Sequence, residues 1–144
     1  MSARFLQISL LVLVLAATAA GAADGLARGD TTQAVPQSLV GCWSRHVPAL
    51  PIGSAAGVWL IRIKSSGAFA AYTPGTTTCD AKWDFTSHVS VSSGRLTIGH
   101  VPICASNGVY AVKPARHSFA LRAVSDRTCA SRLGLLAGTW KRQS

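Results

Sequence analysis

Glutamate is absent from this chain of 144 residues, and its five carboxylates are all aspartates, set against 14 lysines and arginines. Paired histidines are absent too. His46, His88, His100 and His117 stand singly, never at H-x-H or H-x-x-x-H spacing, so the local pattern of a zinc site is missing. There is no G-x-S-x-G elbow and no glycine-rich loop of the kind that cradles phosphate. No basic run of five or more occurs, nor any motif that reads DNA or RNA. Asp80, Asp84 and Asp126 could meet a histidine only through tertiary folding. These gaps predict a protein that is not an enzyme, holds no metal or cofactor and reads no specific nucleic acid.

The strongest organised signal lies at the N-terminus. One positive charge at Arg4 precedes an apolar run from Phe5 to Ala16, then small residues to Ala23 and the first carboxylate at Asp24. A charged start, an apolar middle and an A-x-A-like end at Ala20-Gly21-Ala22 form a secretory signal peptide over residues 1–22. The apolar run falls short of the roughly 20 residues a membrane span needs. No cysteine stands near the cleavage site to take a lipid anchor. The expected product is secreted or periplasmic, and does not span a membrane after processing. Residues 23–37 mix Gly, Asp, Thr, Gln and Pro without periodicity and read as a flexible leader, with one domain over 38–144.

All four cysteines, Cys42, Cys79, Cys104 and Cys129, follow the export signal and lie 25 or more residues apart. An even count in a small exported chain reads as two disulfides, with three connectivities open by count alone. The turn at Ser92-Ser93-Gly94 has Cys79 and Cys104 almost symmetrically on either side, which predicts that they pair and leaves Cys42 for Cys129. A thiol nucleophile is then unavailable.

The domain reads as short strands. Val58 to Lys64 alternates, with Trp59, Ile61 and Ile63 on one face and Arg62 and Lys64 on the other. Ser65-Ser66-Gly67 is a turn, and Ala68 to Tyr72 returns as the partner strand. Lys82 to Thr86, Arg95 to Ile98, Gly108 to Lys113 and Ser118 to Val124 continue the pattern, while Asp126 to Leu136 could hold a helical turn with Asp126 as its N-cap. Alternating runs with turn residues every 8–12 positions argue for an all-β antiparallel barrel or sandwich with a short helical or irregular C-terminal segment.

Leu39-Val40-Gly41-Cys42-Trp43-Ser44-Arg45 and Leu136-Ala137-Gly138-Thr139-Trp140-Lys141-Arg142 both read L-x-G-x-W-x-R and bracket the domain. First and last strands meet when a sheet closes on itself, which predicts barrel closure, with each Trp sealing one end. Gly41-Cys42-Trp43 resembles the G-x-W signature on the first strand of lipocalins and related calycin barrels. The closing stretch from Asp126 through Cys129, Arg132, Leu136 and Gly138 to Trp140 resembles the end of small secreted lipocalin-like domains. The family's T-D-Y-type middle signature is missing. The resemblance implies an eight-stranded up-and-down barrel whose first Trp packs against a C-terminal arginine, here Arg132 or Arg142. It also implies a small hydrophobic ligand inside.

The residues expected to face inward include Trp43, Trp59, Ile61, Trp83, Phe85, Tyr110, Phe119 and Leu121, and of these Trp59, Trp83, Tyr110 and Phe119 would line a ligand. The alternative use is a non-enzymatic interaction module, such as an exported hydrolase inhibitor, acting through the irregular loop from His46 to Gly57. Removing Arg4 with the signal lowers the net charge of +9 by one, to about +8. That balance suits an anionic envelope surface as partner. The basic residues, among them Arg62, Lys64, Lys82, Arg95, Lys113, Arg116, Arg122 and Arg127, are scattered one or two per strand, as on a solvated outer face. A monomer is expected.

Overall fold

The computed structural model describes residues 34–49, 55–102 and 104–144. Eight antiparallel strands follow in chain order: β1 (Gly41–Val47), β2 (Gly57–Ile63), β3 (Ala68–Tyr72), β4 (Phe85–Ser92), β5 (Arg95–Ile98), β6 (Gly108–Ala115), β7 (Ser118–Ser125) and β8 (Gly138–Arg142). Each pairs with its neighbour in sequence, and β8 returns to β1 through Trp43↔Arg142 and Ser44↔Lys141, so the sheet is a closed barrel. One helix, α1 (Ala130–Leu136), connects β7 to β8. Of the barrel or sandwich that the alternation predicts, the structure is the barrel, all-β and up-and-down with a short helix, as the resemblance implies. Among the described residues no helix is long and apolar enough to cross a membrane.

Inward positions carry the large apolar side chains. Trp43, Val47, Ile61, Ile98, Tyr110, Phe119 and Trp140 are fully buried in one core that draws on every strand. Trp43 and Phe119 meet edge to face across the barrel, their ring centroids 4.7 Å apart. The hairpin between β4 and β5 turns on Ser93 and Gly94, both at positive φ, the backbone geometry a two-residue antiparallel turn requires.

Several sequence readings shift. The strand expected over Lys82 to Thr86 begins instead at Phe85 and runs to Ser92. Its alternation of Ser, Thr and His with Val89 and Val91 carries too little apolar contrast to stand out. The helix cap lies three residues later than expected. Cys129 occupies the cap, and Asp126 is buried in an ion pair with Arg132. The signal peptide over 1–22 and most of the leader lie outside the described residues. Of the leader's described residues, 34–37, Val35 is buried against the core.

The disulfide pairing also differs from expectation: Cys42 bonds Cys79, and Cys104 bonds Cys129, with Cα separations of 5.9 and 5.7 Å. Symmetry about the Ser92–Gly94 turn misleads because the β4–β5 ladder ends at Val89↔Ile98, and the last contacts beyond it, Gly99 with His88 and His100 with Ser87, stop short of both cysteines. Cys42, opposite Arg62 on the outer face of β1, meets the β3–β4 loop where that loop folds back over the wall. Cys104 and Cys129 clamp the β5–β6 loop to the start of α1. In the chain-entropy treatment, loops of 37 and 25 residues contribute about 3–4 kcal/mol each. Such bonds persist in oxidising compartments.

Candidate functional site

The repeated L-x-G-x-W-x-R segment is a structural device, and its parts cross between copies. Trp43 Nε1 donates to the Leu39 carbonyl at 2.9 Å, and Trp140 Nε1 donates to the Leu136 carbonyl at 3.0 Å, the same offset in each copy. Gly41 and Gly138 hold φ of 142° and 135°. A Cβ on Gly41 would stand 2.7 Å from the Arg142 guanidinium, and one on Gly138 would stand 2.6 Å from that of Arg45. Each glycine is therefore covered by the arginine of the other copy. Arg142 lies 4.2 Å over the Trp43 ring, the cation–π contact expected of a C-terminal arginine. A third member went unnoticed in the sequence. Gly57-x-Trp59 has a glycine φ of 144° and a Trp59 Nε1 bond to the Ala55 carbonyl at 3.0 Å. The signal was there as G-V-W at the start of β2, without the flanking Leu and Arg.

Arg132, the other arginine considered for Trp43, closes one barrel end instead. Its Nε donates to Asp126 Oδ2 at 2.8 Å and its Nη1 to the Ser106 carbonyl at 2.7 Å, while the Tyr110 hydroxyl donates to the same carboxylate. Burial, reinforced by that hydrogen bond, raises the Tyr110 hydroxyl well above its ordinary pKa. The bond to Asp126 raises Arg132 despite its burial. A Cβ on Gly108 would stand 2.6 Å from Asp126 Oδ2, so the pair needs glycine there. Burial lowers Arg45, whose Nη1 donates to the Gly134 and Leu135 carbonyls.

The four residues expected to line an internal ligand do not come together. Trp59, Tyr110 and Phe119 are buried as packed core, but Trp83 is 52% exposed. It lies in the β3–β4 loop before Phe85, outside the ladder, so strand alternation does not govern its facing. Within the loop from His46 to Gly57, residues 50–54 lie outside the described residues.

Trp83 instead borders an open cleft of about 680 Å³ on the outer wall of β2, β3 and β4. The cleft follows from apolar residues at outward positions of the wall. Leu60 and Tyr72, paired across β2 and β3, are buried outside the barrel with Cys79 in a small second core. Covering them draws the loop over residues 73–84 onto the wall. The Tyr72 hydroxyl donates to the Cys79 carbonyl, Arg62 Nη1 donates to the same carbonyl at 3.2 Å and to Asp80 at 2.6 Å, and the Cys42–Cys79 bond fastens the loop to β1. Ala68 and Ala70 leave a low floor, flanked by Thr86 and Ser87. Lys64 and Lys82 stand at the rim, and among the described residues neither pairs with a carboxylate.

The cleft thus offers an exposed indole, a floor of small side chains and two unpaired ammonium groups, on a frame held by a disulfide and three polar contacts. Chemically it can stack a ring and neutralise an anion. Among the described residues no group of three or more His, Cys, Asp or Glu is placed to hold a metal ion. No family model, no curated protein and no solved structure matches the chain.

Proposed function

We propose that the protein is an exported, non-enzymatic binding module that works as a monomer. Its recognition site is the outer-wall cleft, and its ligand is a small molecule or terminal group that joins a flat ring to a negative charge. The observation that carries this reading is Trp83. Of four tryptophans it alone is largely exposed, and it lines the same cleft as Lys64 and Lys82, on a loop pinned by Cys42–Cys79. An exposed indole that shares one cleft with two unpaired ammonium groups suits stacking combined with charge-assisted hydrogen bonds. The test is an isothermal titration calorimetry experiment with sugar phosphates and aromatic carboxylates as probes. Saturable binding is expected, abolished in Trp83→Ala and weakened about tenfold or more in Lys64→Ser/Lys82→Ser. Binding that survives both variants would place the site elsewhere.

A second reading follows from the closed eight-stranded wall, which suits a small hydrophobic molecule held inside, as in the lipocalin-like family the G-x-W segments resemble. For that use the packed Trp59, Tyr110 and Phe119 would have to yield space. Native mass spectrometry separates the two. A mass excess that disappears on denaturation favours the interior.

A further inference from the structure

A second surface, independent of the cleft, is built by register. The sequence spreads its basic residues thinly along the chain, yet strand pairing gathers them on the wall of β5 to β8. Arg95 pairs with Ala111, and Ala111 pairs with Arg122, so two exposed arginines flank one small residue across three adjacent strands. Their Cα atoms are about 10 Å apart at the usual strand spacing. Lys113, two residues beyond Ala111 on the same face of β6, lies diagonal to both. Lys113 pairs with Ala120, and Ala120 with Thr139, one step from Lys141 on β8. The cations thus descend the wall in a staggered line with Ala111, Ala120 and Thr139 between them.

No described carboxylate interrupts this line. Asp126 is buried against Arg132, and Asp80 and Asp84 lie in the β3–β4 loop on the other side of the barrel. The wall also lacks what other polyanion readers use. Its outward positions on β5 to β8 carry no Trp, Phe or Leu to enter a lipid interface, and no aromatic ring on which a base could stack. What remains is a face of small and β-branched residues, Val109 and the exposed Val124 among them, with repeated unpaired cations.

We infer that the β5–β8 wall, through Arg95, Lys113, Arg122 and Lys141, binds a linear acidic polysaccharide by charge spacing alone. Small side chains between the cations let an extended chain lie flat, and each neutralised anion releases a counterion.

Binding of the full mature chain to heparin, a sulfated polysaccharide, is measured at 50 and 200 mM salt. Four contacts predict a loss of affinity of roughly fiftyfold over that range, and two contacts roughly sevenfold. Arg95→Ser/Arg122→Ser should therefore show the shallower dependence. Arg116→Ser/Arg127→Ser, which removes the same charge from two exposed loop positions outside the line, should keep the wild-type dependence within about twofold. Equal losses in both double variants would mean that net charge alone attracts the polymer, and would overturn the proposal. So would tighter binding to phosphatidylglycerol vesicles or to a DNA duplex than to heparin at the same salt. Because the cleft is tested through Trp83, Lys64 and Lys82, either site can fail without the other.

Discussion

Replacing Arg132 with Met keeps most of the side-chain volume and deletes the guanidinium. Asp126 then remains 3% exposed at a barrel end, with the Tyr110 hydroxyl as its remaining side-chain donor. Breaking a buried ion pair by removing one partner typically costs 3–5 kcal/mol, because the other charge is stranded. The released carbonyls of Gly99 and Ser106 lose a donor as well, adding to the cost. Against a stability of roughly 5–15 kcal/mol for a domain this size, that is a large fraction. Urea unfolding of the oxidised protein should show the midpoint falling with the slope unchanged. Asp126→Asn/Arg132→Met, which removes both charges, should be less destabilised than the sum of the two single variants by at least about 1 kcal/mol. A cost below about 1 kcal/mol for Arg132→Met, or strict additivity in the cycle, would refute the view that this pair locks the barrel end.

Gly138→Ala should cost about 3 kcal/mol or more in the same assay, since its φ of 135° is strained for any L side chain and its Cβ would collide with Arg45. Gly94→Ala, with open space around it, should cost only the strain of its positive φ. Iodide quenching should act almost entirely on Trp83, and Trp83→Phe should leave a protein that iodide barely quenches, because Trp43, Trp59 and Trp140 are buried. Tyr110 is held protonated in the folded state above its ordinary pKa, so its contribution is present in full below about pH 10 and lost as pH rises beyond it. The wild type should therefore lose up to about 1.4 kcal/mol per pH unit more steeply above pH 10 than Tyr110→Phe. A non-reducing peptide map should return Cys42–Cys79 and Cys104–Cys129.

The barrel was legible because its signals are local and periodic. Trp59, Ile61 and Ile63 alternate cleanly, Ser93-Gly94 forms the expected tight turn, and the two Gly-x-Trp ends meet where closure requires. The disulfide pairing was not legible, because it depends on which loop folds over which face, and hairpin symmetry carries no information once the ladder stops at Ile98. The cleft was hidden for the same reason. Leu60 and Tyr72 sit at outward positions, and only the path of residues 73–84 decides whether they are covered. In hindsight two large apolar residues on a face otherwise carrying Arg62 and Lys64 were the available sign. Trp83 was misplaced because alternation was extended into a loop that does not obey it.

The central claim, that recognition occurs at the outer-wall cleft, is tested most directly by recording amide and indole N–H shifts of the labelled protein during titration with the tightest-binding probe. The account predicts shifts confined to Lys64, Ala68, Ala70, Lys82, Trp83 and Thr86, with the Trp83 indole moving most. Shifts centred on Tyr110, Phe119 and Trp59 would place the ligand inside the barrel and contradict it.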